Sequence, residues 1–322
     1  MRCVVFTGVG GREVVTVTDR PDPEPAKFEV LIEPRFSGVN PADALQREGH
    51  HPVPPGSPAD VPGLEVAGTV VATGPDVTAF AVGDRVFGLV GGGGHATRVV
   101  ANERELARVP ETLDDAQAAA APEAFLTAFD AAVLQAGLQS GDTLLVNGAS
   151  GGVGTAAVQI GRALGARVVA NVRNEALRSR VAELGAEVFG ADEAFARAQE
   201  LGGADVVLEL VGGPHMAGNI ASIALRGRVI VVGSKPGDEA VIDLRALMQK
   251  RGRLMATTLR TRPPEEKSTL LQVFARRILP FLADGTMVPL VDRTFPLDDA
   301  ADALDAVREP GKLGKLLLEM PG

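Results

Sequence analysis

Nine residues, VNGASGGVG at positions 146–154, have the composition and spacing of a phosphate-holding turn. An apolar run at 143–146 leads into them, and a helical pattern over 155–164 leads out. A strand that ends in a glycine turn and feeds a helix presents free N–H groups and the positive end of the helix dipole to an anion. In a βαβ setting that anion is a dinucleotide pyrophosphate. The glycines read Ala149-x-Gly151-x-x-Gly154, so alanine stands where the fingerprint has its first glycine. Gly151 is expected to let the backbone approach the phosphates, and Gly154 to let helix and strand pack closely. Ser150, Gly152 and Val153 complete the expected cradle. A plain tight turn would use similar glycines; the flanking strand and helix favour a cofactor site. The next strand closes as ANVRN at 170–174, with no Asp or Glu to hold ribose hydroxyls. Arg173 stands at its tip beside Asn171, and a guanidinium there suits the 2′-phosphate of NADP(H) better than the bare ribose of NAD(H).

The elements that must position this turn follow from periodicity. Residues 1 to about 110 read as short strands separated by Gly, Pro, Asn and Asp clusters, with a long proline loop at 50–58 and a four-glycine turn at 91–94. Alanine-rich helical sequence over 114–136 follows, interrupted at Pro122. Strands are then expected at 143–147, 167–172, 187–189, 205–210, 228–232 and 253–258, with helices between. Near-continuous apolar strands alternating with helices imply a doubly wound parallel sheet, an α/β Rossmann domain. A long helix at 265–282, a strand near 288–295, a helix at 297–307 and a closing strand at 313–320 read as a tail returning to the first domain. The expected division is 1–121 with 261–322 as a mostly-β unit, and 122–260 as the dinucleotide-binding unit.

Composition narrows the function. In 322 residues the net charge is −9, which argues against nucleic acid as a partner. The single cysteine, Cys3, excludes a disulfide framework or a cysteine metal cluster. The most apolar window, 116–134, carries Glu123 and Asp130 and is no membrane span. A cytoplasmic location is the default expectation. Tyr and Trp are absent, which removes a common proton donor.

Beyond the turn, GVNPAD at 38–43, PGLEVAG at 62–68, VGDRV at 82–86, PEAFLT at 122–127, NGASGGVG at 147–154, LMATTLR at 254–260 and GKLLL at 314–318 recur in one order. Together they resemble the zinc-less quinone oxidoreductase (zeta-crystallin-like) branch of the medium-chain dehydrogenase/reductase superfamily, over essentially the full length. The resemblance implies a GroES-like catalytic domain beside the Rossmann domain, and hydride transfer from a nicotinamide to a small-molecule quinone or activated enone. It implies Asn40 and Thr127 near the nicotinamide and its ribose, and cofactor contacts at Val211, Gly233, Ser234, Leu259 and Lys315. A homodimer is expected, paired through the apolar edge strand at 253–258.

In zinc-using relatives the three ligands would fall at Asn40, at or beside Leu64-Glu65, and near Glu123. None of these is Cys or His, so no metal is expected. His51 and His95 stand at loop positions where the branch often carries Tyr. Either could donate a proton to the reduced product. Two other readings remain open: an NADPH-dependent reductase of 2-enoyl (thio)esters, and a nucleotide-binding sensor or structural protein with little turnover.

Overall fold

The strand–helix alternation of the middle of the chain closes into a six-stranded, all-parallel sheet. Its order is Glu187–Phe189, Arg167–Asn171, Thr143–Asn147, Ala204–Glu209, Ile223–Val231 and Arg253–Ala256. The strand bearing the glycine turn is central, and the order reverses direction beside it. That reversal opens the crevice at the carboxyl ends in which ligands of doubly wound sheets bind. Val169, Val207, Val229, Ala198 and Ile220 form part of the apolar layer between this sheet and its helices. The structure, a computed structural model, describes residues 1–234 and 237–321.

The remaining sequence folds around a seven-stranded, mostly antiparallel sheet. Its path runs Val291–Pro296, Lys315–Glu319, Glu29–Val39, Glu65–Thr73, Arg85–Leu89 and Leu106–Arg108, with Val99–Asn102 also paired to Glu29–Val39. The C-terminal strand therefore returns to the first unit, pairing Leu316 with Val39 and Leu318 with Ser37. Val30, Ile32, Val66, Val70 and Val86 fill one core. Val4, Val39, Leu304, Leu316 and Leu318 fill another.

The chain divides into one unit of residues 1–126, 259–310 and 315–322, and another of residues 127–258 and 311–314. The first unit thus extends past the expected boundary at 121, and one reason is visible. The Glu123 N–H donates to the Glu65 carboxylate at 2.9 Å, which ties the start of the helix Pro122–Ala128 to the β-rich sheet. Residues 311–314 join the dinucleotide-binding unit, where the Gly314 N–H donates to Ser150 O at 2.9 Å.

Three elements differ from expectation. The segment after Val39 is a helix, Pro41–Arg47, because Pro41 at its first position is preorganised for a helix start. The long helix of the tail breaks into Pro264–Arg277 and Leu279–Ala283 just before Pro280, whose ring excludes a continuous helix. The strand expected at 228–232 begins earlier, at Ile223, and shortens the preceding helix to Met216–Ser222. Among the described residues, no helix is long and apolar enough to cross a membrane.

Candidate active site

In the dinucleotide-binding unit the turn is sharper than the fingerprint implied. Gly148, one residue before Ala149, takes the left-handed conformation at φ 79°. A side chain there is strained by the backbone, so this glycine, not the missing one, makes the bend. Gly151 is the N-cap of the helix Gly152–Ala163, and the first N–H groups of that helix follow directly. A Cβ on Gly154 would lie 2.4 Å from Gly148 O and 2.6 Å from Ala149 Cα, so only glycine permits this approach of helix to turn. A Cβ on Gly151 would meet only Gly148 O, at 3.7 Å. Its lack of a side chain thus leaves open space over the turn, while Gly154 closes the packing beneath it.

The neighbouring strand ends converge on the same place. A Cβ on Gly148 would touch Leu210 and Val211 at 3.3 Å, one on Gly233 would meet Leu210 O at 2.8 Å, and one on Gly212 would lie 3.3 Å from Ser234 Cα. Val211, Gly233 and Ser234 are therefore brought beside the turn. Beneath them lies a polar network that the sequence reading did not single out. Asn147 Nδ2 donates to Glu209 Oε2 at 2.8 Å, Asn219 Nδ2 donates to the same oxygen at 2.7 Å, and Asn171 Nδ2 donates to Asn147 Oδ1 at 3.0 Å. Glu209 Oε1 accepts from the N–H groups of Val211 and Gly212 at 2.6 and 2.9 Å. Burial alone would raise this carboxyl. His215, 3.6 Å away, then Asn219 and the two backbone amides more than offset that and hold it below its ordinary value. The signal in the sequence was an acid directly after the apolar run 206–208 at the end of a parallel strand. Asn171 is buried in this network, whereas Arg173 is exposed at the strand tip. Thr127 is buried.

In the β-rich unit Asn40, Lys315 and Glu65 come together, all of them buried. Lys315 Nζ donates to Glu65 Oε1 at 2.6 Å and to Asn40 Oδ1. Asn40 Nδ2 donates to Glu65 Oε1 at 2.9 Å and to Gly38 O at 3.3 Å. Both N–H groups of the Asn40 amide are thus used within the protein, leaving its oxygen able to accept one further bond. Gly38 makes the cluster feasible, since a Cβ there would sit 2.1 Å from Glu65 Oε1. Asp43, three residues on, accepts from the Asn40 N–H at 2.8 Å and from the Gly63 N–H at 3.1 Å, which fixes the helix start that carries Asn40.

The two histidines part company. His95 has no exposed surface; its Nδ1 shares a hydrogen with Ser37 Oγ at 2.7 Å, and its Nε2 faces Asp43 at 3.5 Å. The loop position read as accessible is packed because Gly63 and Gly94 bring backbones close, a Cβ on Gly63 falling 2.4 Å from His95 N. Burial would raise the Asp43 carboxyl, but the facing His95, the Asn40 N–H and Arg260 together hold it below its ordinary value. His51 is half-buried. Burial first and the charge of Arg260 second depress its pKa, so its neutral form dominates at neutral pH. Leu259 is buried at the start of the first unit's returning segment.

The sequence relationships agree with this architecture. A family model described as "Alcohol dehydrogenase GroES-like domain" matches residues 26–111, and one described as "Zinc-binding dehydrogenase" matches residues 152–276. The chain is 34% identical over 327 aligned residues to the quinone oxidoreductase of Rattus norvegicus, covering 99% of this chain and 97% of that one. The chain belongs to the quinone oxidoreductase family of medium-chain oxidoreductases. Among solved structures, an NAD-dependent alcohol dehydrogenase matches with a TM-score of 0.88 at 30% identity, covering 100% of both chains. A mycobacterial protein solved with NADPH matches at 0.86 and 28% identity, covering 99% of this chain and 100% of that one.

The zinc in the description of one family model can be tested against the residues of this family member. At the expected ligand positions stand the Asn40 amide, apolar Leu64, and the acids Glu65 and Glu123. The Glu65 carboxylate is already neutralised by the Lys315 ammonium. An apolar side chain and a buried ammonium in the coordination sphere do not fit a divalent ion. Among the described residues no group of three His, Cys, Asp or Glu side chains has metal-binding geometry.

Proposed function

We propose that the protein is an NADPH-dependent reductase of quinones and activated enones that transfers hydride without a metal. The observation that carries the metal-free reading is the Lys315 ammonium seated on Glu65 and Asn40, where zinc-using relatives would hold their ion. The cofactor, when bound, supplies the hydride; the chain supplies position and electrostatics. The open space over Gly151 and the free N–H groups opening the helix Gly152–Ala163 suit the pyrophosphate. Exposed Arg173, with no acid at that strand tip, supports the 2′-phosphate and hence NADPH over NADH. The Asn40 oxygen, held by Lys315 with one lone pair free, suits a hydroxyl or carboxamide donor of the nicotinamide half. Asp43 and buried His95 keep Asn40 in place, so His95 is read as a positioning group. His51, neutral at neutral pH, leaves water as the proton source for the reduced product.

Among the described residues the edge strand Arg253–Ala256 pairs on one side only; exposed Leu254 lies on it, exposed Leu225 on the strand Ile223–Val231 that it pairs with, and exposed Leu244 and Met248 on the helix Leu244–Lys250 that precedes it. An unpaired apolar edge of this kind supports a homodimer joined strand to strand, which sedimentation would read as twice the chain mass.

The decisive assay follows NADPH oxidation against a panel of a benzoquinone, an enone and an enoyl thioester. Quinone and enone turnover is expected. Turnover restricted to the thioester would replace this reading with the enoyl reductase, and NADPH binding with no turnover would replace it with a sensor.

A further inference from the structure

Arg260 is 6% exposed, yet its guanidinium is not fully used. Nε and Nη2 both donate to Gly91 O, at 3.1 and 2.9 Å, and Nη2 also donates to Gln46 Oε1 at 2.6 Å. Nη1 is buried and has no hydrogen-bond partner among the described residues. A buried, charged donor left undischarged is costly, and native structures carry such groups where a ligand completes them.

The other three contacts show what Nη1 is held against. Gln46 lies in the helix that Asn40 begins, and its own Nε2 donates to Ala59 O beyond the proline loop at 3.2 Å. Gly91 opens the glycine turn. A Cβ on it would fall 2.0 Å from Ser57 Oγ, so the turn packs directly on the proline loop. One guanidinium therefore ties the Asn40 helix to the glycine turn, against which the proline loop packs through Ser57, all within the β-rich unit. Arg260 comes from the returning segment and is rigidly forked, so Nη1 has a fixed direction.

We propose that Arg260 Nη1 is the group that binds the carbonyl oxygen of the acceptor and stabilises the oxyanion produced by hydride addition. This rests on the quinone and enone reading above. Hydride, carrying two electrons, forms a C–H bond at the carbon β to the carbonyl; the C=C pair shifts to the α-carbon–carbonyl bond and the C=O π bond breaks. The electron pair ends on oxygen, beside the guanidinium, and water then delivers the proton; tautomerisation of the protonated product restores the ketone or the aromatic ring of the hydroquinone. Arginine stays protonated throughout, so it supplies charge and donors rather than a proton. In a site whose residues do not fit zinc, this cation does the work of the missing Lewis acid at the acceptor oxygen. Lys315 serves a different function, with its charge already committed to Glu65.

The test uses 4-nitrophenol, whose phenolate is coloured and whose neutral form is not, bound to the full-length protein saturated with NADP⁺. Wild type is expected to bind it as phenolate, lowering its apparent pKa by about one unit or more, as a cation beside a phenol does. Arg260→Met should abolish that shift. It should also cut kcat/KM for benzoquinone by about 100-fold or more, the size of losing one oxyanion donor. Its NADPH affinity should fall far less than its kcat/KM, because the group lost meets the acceptor rather than the cofactor. Arg260→Lys, which keeps the charge and loses the fork, should recover part of both effects. It also provides the reading if the methionine variant is misfolded by circular dichroism. Gln46→Leu removes the loop-pinning bond while sparing Nη1 and should keep the phenolate shift. A shift that survives in Arg260→Met overturns the proposal, as does equal loss in Gln46→Leu, which would make Arg260 a loop anchor only. Wild type that shifts the phenol but reduces no quinone would refute the quinone reading while leaving the oxyanion site standing.

Discussion

Lys315→Met tests the buried ion pair most directly. Glu65 has no exposed side-chain surface and Lys315 only 6%, so water does not screen their 2.6 Å contact. Removing the ammonium leaves Glu65 Oε1 with the Asn40 amide alone and Oε2 with the Glu123 N–H. An uncompensated buried carboxylate of this kind costs about 3–5 kcal/mol. Glu65→Gln strands the ammonium in the same way and should cost a similar amount. The double variant Lys315→Met, Glu65→Gln replaces both charges with neutral side chains of similar length. It should recover enough to show a coupling of at least about 2 kcal/mol, because a buried pair removed whole is often near neutral. With no Trp or Tyr for intrinsic fluorescence, urea unfolding is best followed by far-UV circular dichroism. The rate of quinone reduction should stay depressed in the double variant, since the Asn40 oxygen has lost its anchor. Single variants that each cost under about 1 kcal/mol, or that add without coupling, would refute the argument that this pair is a desolvated unit.

Arg173→Glu should weaken NADPH by at least about tenfold through loss of a charge-assisted pair to the 2′-phosphate, and change NADH much less, by calorimetry; equal effects refute the assignment. Gly154→Ala would put a methyl carbon 2.4 Å from Gly148 O. It should cost about 1–3 kcal/mol of stability and most of the NADPH affinity, because backbone rather than a flexible side chain must yield. Asp43→Asn should destabilise the protein by about 1–3 kcal/mol at pH 7, where two backbone amides and His95 face the carboxylate. The folded pKa is depressed, so this contribution is fully present above the unfolded value of about 3.9 and is lost only as pH falls through the lower folded value. The gap in urea midpoint between wild type and variant should therefore stay level from pH 7 to pH 5, and a gap that closes in that window is the contrary result.

The local sequence was enough for most of the dinucleotide-binding unit, though not for the helix that Pro41 starts or the helix break at Pro280. The run-turn-helix at 143–164 and the apolar strands between helices stand in the fold as read, because strand burial and turn geometry act over a few residues. The missing first glycine was legible too, although Gly148 at φ 79°, not Ala149, is where the bend occurs. Tertiary structure decided the rest. Lys315 meets Asn40 across 275 positions, because the closing strand pairs in a register that sets Leu316 opposite Val39. No local pattern encodes a long-range register. His95 follows four glycines and reads as a surface loop, yet those same glycines let backbones close over it until nothing remains exposed. Arg260 reads as the end of a motif, and only the fold shows that it ties the glycine turn to the helix Pro41–Arg47 with one nitrogen to spare. The sequence determined the strand, glycine turn and helix that suit a dinucleotide; packing determined which buried charges are paired, as Lys315 is with Glu65, and which keep an unused donor, as Arg260 does.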